Sequence, residues 1–106
     1  MVVLILDKAR KELYGLPKEA QEKFISLFVG MNNEFRLDLN KFKKLRNFNL
    51  YEFRVKHNSN IYRGIGGYSY NIFVLSLVFQ KKTQKIPLRE IRTASTRFKK
   101  YINQKK

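Results

Sequence analysis

Arg54, Lys56 and Arg63 are the side chains of this sequence best placed to act on a phosphate. Two short segments carry them, Tyr51-Glu52-Phe53-Arg54-Val55-Lys56 and Ile61-Tyr62-Arg63-Gly64-Ile65. Between these lies His57-Asn58-Ser59-Asn60, whose residue types suit a hairpin turn. With either a two- or a four-residue symmetric loop, paired positions sum to 117, which sets Arg54 directly opposite Arg63. Lys56 falls two residues along on the same face. Like charges opposed across strands destabilise by up to ~1 kcal/mol. A phosphate site gives that cost a purpose; the plain alternative is an exposed sheet face with splayed, solvated arginines. His57 is the one histidine and the one side chain suited to proton transfer near neutral pH without special tuning. Its plain alternative is a surface turn residue.

A second basic group is Lys81-Lys82-Thr83-Gln84-Lys85, between an apolar run and Ile86-Pro87. Lysine supplies charge, and Thr and Gln supply hydrogen bonds, so the segment makes a good phosphate-contacting surface and a poor structural linker. One histidine and no cysteine cannot assemble a metal site, and the second half lacks the acids for a carboxylate-only magnesium site. Any hydrolytic chemistry is therefore expected to need neither metal nor other cofactor. No phosphate-binding P-loop, dinucleotide fingerprint or Ser-His-Asp triad can be assigned.

Certain elements must position these groups. Alternation puts Tyr51, Phe53 and Val55 on a core side and Glu52, Arg54 and Lys56 on the other. Ile61–Ile65 returns as the partner strand, and Gly64, Gly66 and Gly67 are expected to weaken it or end it early. Tyr70–Phe79 is almost continuously apolar, the pattern of a central strand covered on both faces. Pro87 opens a final helix with Ile91, Ala94, Ser95, Phe98 and Ile102 on its apolar stripe. Upstream, Val2–Leu6 reads as a short strand. Asp7–Leu13 reads as a helix with Asp7 as N-cap and Gly15 closing it. A second helix, Lys18–Met31, opens after Pro17 and aligns Ala20, Phe24, Leu27, Phe28 and Met31. Residues 32–49 read as loop with weak structure. The expectation is an α+β domain over residues 1–106, ordered β-α-α-β-β-β-α, with a helical hairpin packed on a twisted, mainly antiparallel sheet.

Composition narrows the partners. The chain has 106 residues and a formal net charge of +15. Residues 1–50 carry ten Lys/Arg against six acids, and residues 51–106 carry thirteen against two. A field this strong and lopsided favours polyanions, whether nucleic acid, an acidic protein or an anionic membrane surface. Hydrophobic content of 43%, with nine Phe and six Tyr, points to a folded chain rather than a basic tail. The apolar opening is too short for a signal-peptide core or a membrane span, so a cytoplasmic protein with no membrane partner is expected.

Read together, Lys44-Leu45-Arg46, Leu50-Tyr51-Glu52-Phe53-Arg54-Val55-Lys56-His57, Ile61-Tyr62-Arg63 and Phe79-Gln80-Lys81-Lys82-Thr83-Gln84-Lys85-x-Pro87-x-x-Glu90-Ile91 resemble the HigB-type, phage-derived branch of the RelE/ParE toxin superfamily. The resemblance covers most of the chain and is specific over residues 44–101. It implies a small microbial-ribonuclease-like domain. It also implies the toxin of a type II toxin–antitoxin module, acting as a ribosome-dependent mRNA endoribonuclease and neutralised by a cognate antitoxin with a helix-turn-helix domain. In that reading Arg54, Lys56 and Arg63 cradle the scissile phosphate, and Lys81 and Lys82 add further basic contacts. RNA supplies its own 2′-hydroxyl nucleophile, so the enzyme need only orient it, take its proton and stabilise charge on the phosphate. His57 or Lys56 could be the base; Tyr101 or a lysine of 81–82 could be the acid. Two departures stand out: the three glycines, and Ile86 where a capping Thr is usual. A non-catalytic toxin that binds a protein such as DNA gyrase, and a non-toxic nucleic-acid-binding module, are the alternatives.

Overall fold

Strand alternation and helix periodicity divide the described residues of this chain into eight elements. The computed structural model describes residues 2–32, 42–80 and 85–104. It runs β1 (Val2–Ile5), α1 (Asp7–Tyr14), α2 (Lys18–Asn32), β2 (Phe42–Leu45), β3 (Leu50–His57), β4 (Asn60–Ser69), β5 (Ile72–Gln80) and α3 (Leu88–Gln104). One sheet holds all five strands in the order β1-β5-β4-β3-β2. Only β1 and β5 pair in parallel; the other three ladders are antiparallel. The α+β architecture with a helical hairpin on the sheet is therefore as the sequence indicates, with one strand more. That strand, β2, falls within the stretch read as loop and pairs Phe42 with Phe53 and Lys43 with Glu52. No helix among the described residues is long and apolar enough to cross a membrane.

The sheet separates two cores. The α1–α2 hairpin covers one face, where Leu13, Phe24, Phe28, Phe42, Phe53 and Phe73 pack together. Phe53 is its hub, with ring centroids 5.6 Å from Phe24, 5.9 Å from Phe28 and 5.0 Å from Phe42. Burying each such ring stabilises the fold by roughly 1.5–3 kcal/mol. On the other face α3 lays Ala94 and Phe98 over Leu50, Ile65, Val74 and Leu77. With both faces covered, residues 73–78 of β5 are all buried, which is why that segment reads as continuously apolar.

The glycines do not shorten β4, which runs ten residues and is the longest strand. None has positive φ. They provide room: a Cβ on Gly64 would strike the Phe53 ring, and one on Gly66 would strike the Phe73 ring and the Val74 carbonyl. Aromatic rings fill the space that side chains would take. Asp7 likewise differs from its expected role. Leu6 is the N-cap of α1 with no side-chain cap, and Asp7 sits in the first turn, where its charge favours the helix dipole. Gly15 closes α1 as expected, its N–H donating to the Lys11 and Glu12 carbonyls.

Beyond Leu75 the edge of β5 has no strand partner among the described residues, since β1 pairs only as far as Ile5. Side chains close it. The Val78 N–H donates to Glu12 Oε1 at 3.1 Å, and Arg97 Nη1 donates to the Ser76 carbonyl at 3.1 Å. Glu12 and Arg97 join each other through two bonds of 2.9 and 3.0 Å. Ser76 is the extra residue of a bulge, because Ile65 pairs with Leu77 and Gly66 with Leu75. Its hydroxyl donates to the Ala94 carbonyl at 2.6 Å, so α3 is fixed to the sheet at this point.

Candidate active site on the open strand face

The hairpin places the cations. Its loop is two residues, Asn58 and Ser59, with Asn58 at φ 56°, and His57 pairs with Asn60. Short polar Asn tolerates this left-handed conformation. The register that follows sets Arg54 opposite Arg63, as the arithmetic of the sequence requires. Side chains of Tyr51, Phe53 and Val55 go to the hairpin face, so Glu52, Arg54 and Lys56 share the opposite face with Arg63. There α3 covers Leu50 and Ile65 but leaves Arg54 and Lys56 exposed.

Glu52 organises this face. It is 4% exposed and Arg63 is 3% exposed, an unusual depth for two ionisable side chains. Glu52 Oε2 lies 3.5 Å from Arg63 Nη1, and Oε1 lies 3.4 Å from Arg54 Nε. One carboxylate thus separates the two opposed guanidinium groups, which removes most of the repulsion that the pairing alone would cost. Burial pushes the Arg63 guanidinium below its ordinary pKa; Glu52 acts against this and Arg54 adds to it. Arginine starts so high that Arg63 stays charged. With Nε turned to Glu52, the outer edge of the Arg54 fork is the part left to meet a ligand. Lys43 of β2 stands directly opposite Glu52 and is exposed, extending the cationic face across a third strand.

Not every expected residue joins this group. His57 continues the odd-numbered row of β3 onto the hairpin face, where its Nε2 is 3.8 Å from Glu19 Oε2 of α2 and 3.4 Å from Asn58 Nδ2. Period-two alternation is the reason: a residue next to Lys56 in sequence points the other way. Lys56 is fixed through its backbone, its carbonyl accepting from Lys23 Nζ at 2.5 Å. Lys85 is exposed just ahead of α3, while Lys81, Lys82, Thr83 and Gln84 lie outside the described residues. Tyr101 lines a small cavity with Leu6, Asp7 and Lys8, at the β1 side of a sheet in which Arg54 stands three strands away on β3. Among the described residues no group of three or more His, Asp or Glu could hold a metal ion.

Glu52 and Lys43 were not singled out by sequence. Glu52 carried a usable signal, being two residues before Arg54 and therefore on its face. Lys43 carried none, since its strand was not recognised.

The arrangement is a shallow cationic face on three adjacent strands, with an oriented arginine at its centre. It can bind a phosphodiester and stabilise extra negative charge on it. Residues 11–99 match the family described as Phage derived protein Gp49-like (DUF891). No curated protein matches the sequence. Among solved structures, an E. coli RelE toxin mutant in the free state is similar with a TM-score of 0.66 and 16% identity, over 90% of this chain and 93% of that one. The intact E. coli RelBE toxin–antitoxin complex gives 0.59 and 19%, over 77% and 98%. The isolated E. coli RelE toxin gives 0.57 and 15%, over 86% and 95%. At these identities the likeness is one of fold.

Proposed function

Because the chain belongs to the Phage derived protein Gp49-like family, we propose that it is the toxin of a type II toxin–antitoxin module, of the HigB-type branch, and that it cleaves mRNA on the ribosome. The observation that carries this reading is the exposed Arg54, oriented by a buried Glu52 between two arginines on an open strand face. Such a face suits the phosphorane-like transition state of RNA cleavage, in which the phosphate gains charge as the 2′-oxygen attacks. The 2′-oxygen forms a bond to phosphorus, the 5′-oxygen leaves, and the product is a 2′,3′-cyclic phosphate or the 3′-phosphate from its hydrolysis. No metal is required.

Arg54 meets the non-bridging oxygens directly. Arg63 lies behind it, holding Glu52 and contributing charge from the interior. Lys56 takes the 2′-hydroxyl proton and hands a proton to the departing 5′-oxygen, since guanidinium groups stay protonated and the His57 ring is turned to the other face. The lysines of 81–85 grip flanking RNA. An acidic segment of the cognate antitoxin, which carries a helix-turn-helix domain, covers this face and so offsets the charge and blocks the site together.

The test is induced expression of Arg54→Ala beside the native chain, with transcript ends mapped. Native protein should arrest growth with mRNA cut within translated frames, and the variant should be harmless at equal abundance. Replication arrest with intact transcripts would replace this reading with inhibition of a protein target. On isolated ribosomes Arg54→Ala should lower cleavage by roughly 10²–10³, the usual effect of removing one donor to a developing oxyanion.

A further inference from the structure

The solvent side of α3, which lies on the same side of the sheet as the strand site, carries a second group of cations. Arg89, Arg92, Arg97, Lys99 and Lys100 lie on this helix against one acid, Glu90, which is 3.5 Å from Arg89. Two polar concavities flank the helix. One, of about 500 Å³, is lined by Lys8 of α1 with Arg89, Arg92, Thr93, Thr96 and Arg97. The other, of about 440 Å³, lies against the β2–β3 turn and includes Asn47, Asn49, Ser95 and Lys99. They share Arg92 and Thr96, which form the crest between them. The walls are built rather than loose. Arg97 is held by Glu12 and the Ser76 carbonyl, Ser76 ties the Ala94 carbonyl to the bulge, and Asn47 and Asn49 take left-handed φ values of 71° and 54°.

We infer that the outer face of α3 is a docking surface for double-stranded RNA, separate from the strand face that holds the RNA to be cut. The inference rests on the RNA-directed reading above and adds to it a second RNA class. A helix with its side chains is about 10–12 Å across. A crest with hydroxyls and cations dipping on both flanks fits the wide, shallow minor groove of an RNA duplex, where 2′-hydroxyls line the floor and a phosphate backbone borders each side. Thr96 and Arg92 meet the floor. Lys8 and Arg89 meet one backbone, and Lys99 meets the other. Charge decides for RNA over an apolar partner: the exposed crest carries no large hydrophobic residue, and Leu88, at the helix start, is the one exposed hydrophobic on α3.

The test is binding of the full chain to a blunt RNA duplex of about two helical turns, measured from about 50 to 200 mM salt, where phosphate contacts dominate. The probe cannot be read as activity, so loss of cleavage in Arg54→Ala and loss of binding here are scored separately. In the triple variant Arg89→Gln, Arg92→Gln, Lys99→Gln the slope of log affinity against log salt should fall by roughly three, about one per cation removed. Association with ribosomes should weaken at least ten-fold. A matched variant on the helical hairpin, Arg10→Gln, Lys11→Gln, Lys18→Gln, should change the slope by less than one. Equal slopes in the two variants would overturn the inference. So would a triple α3 variant that binds the duplex normally but fails to form a complex with an acidic protein partner, which would make α3 a protein interface. Arg97 is left intact because it supports the fold.

Discussion

At Glu52 both carboxylate oxygens are engaged, one by Arg54 and one by Arg63, and this division decides how each substitution behaves. Arg63→Ala strips a buried carboxylate of one of its two counter-charges and should cost about 3–5 kcal/mol in urea unfolding. It is therefore a poor probe of chemistry. Replacing the pair together, Glu52→Leu with Arg63→Met, should recover most of that stability, because well-packed apolar residues often serve as well as a buried ion pair. The same double variant should lose cleavage, since Arg54 is no longer held. Stability regained with activity also regained would show that the triad is structural only. Arg54→Ala takes the other counter-charge from the same carboxylate, but from the half-exposed side where water can replace it, and should cost roughly 1–3 kcal/mol, less than Arg63→Ala. For Lys56, Lys56→Arg separates charge from proton exchange: ribosome binding should persist while cleavage falls by roughly 10²–10⁴.

The elements explain which of these residues could be foreseen. Register was legible because a symmetric loop of two or four residues gives the same pairing, and Arg54 does stand opposite Arg63. The amphipathic stripes of α2 and α3 were legible from their helical spacing, with Ala20, Phe24, Ala94 and Phe98 all buried. Strand β2 was not. It is four residues long with two lysines at its centre, and its return rests on two asparagines in the left-handed region, a state that composition does not announce. Glu52 was visible but undervalued, because alternation sorts residues by face and says nothing about how deeply a face is covered. The glycines misled for a related reason: propensity counts their weakness in strands, whereas here each makes room for a neighbouring ring. Gly64→Ala should therefore destabilise by about 1–3 kcal/mol through overpacking against Phe53. A stabilising effect in urea unfolding would refute that account. At the β5 edge, Arg97→Ala should expose the Val78 amide to fast hydrogen exchange while amides of β3 and β4 keep their protection.

For the whole molecule, a net charge of +15 on 106 residues sets both stability and company. Self-repulsion opposes the compact state, and salt screens it over about 10 Å at 0.1 M. Thermal unfolding should accordingly shift upward as sodium chloride is raised from about 20 to 300 mM, opposite to what a fold held by surface ion pairs would show. A flat or falling midpoint would mean that ion pairs such as Glu12–Arg97 outweigh the repulsion. Topology adds a consequence in time. The first strand pairs with the last, Val2 with Ile72, so the sheet cannot close until some seventy further residues have been made. At about 5–20 residues per second that interval is roughly 4–14 s. The β3–β4 hairpin can form earlier, but without β5 and α3 it has no second face to rest on. On the proposed reading each copy is harmless until β5 and α3 have been made, which would leave an inhibitor translated alongside it several seconds in which to fold and be waiting.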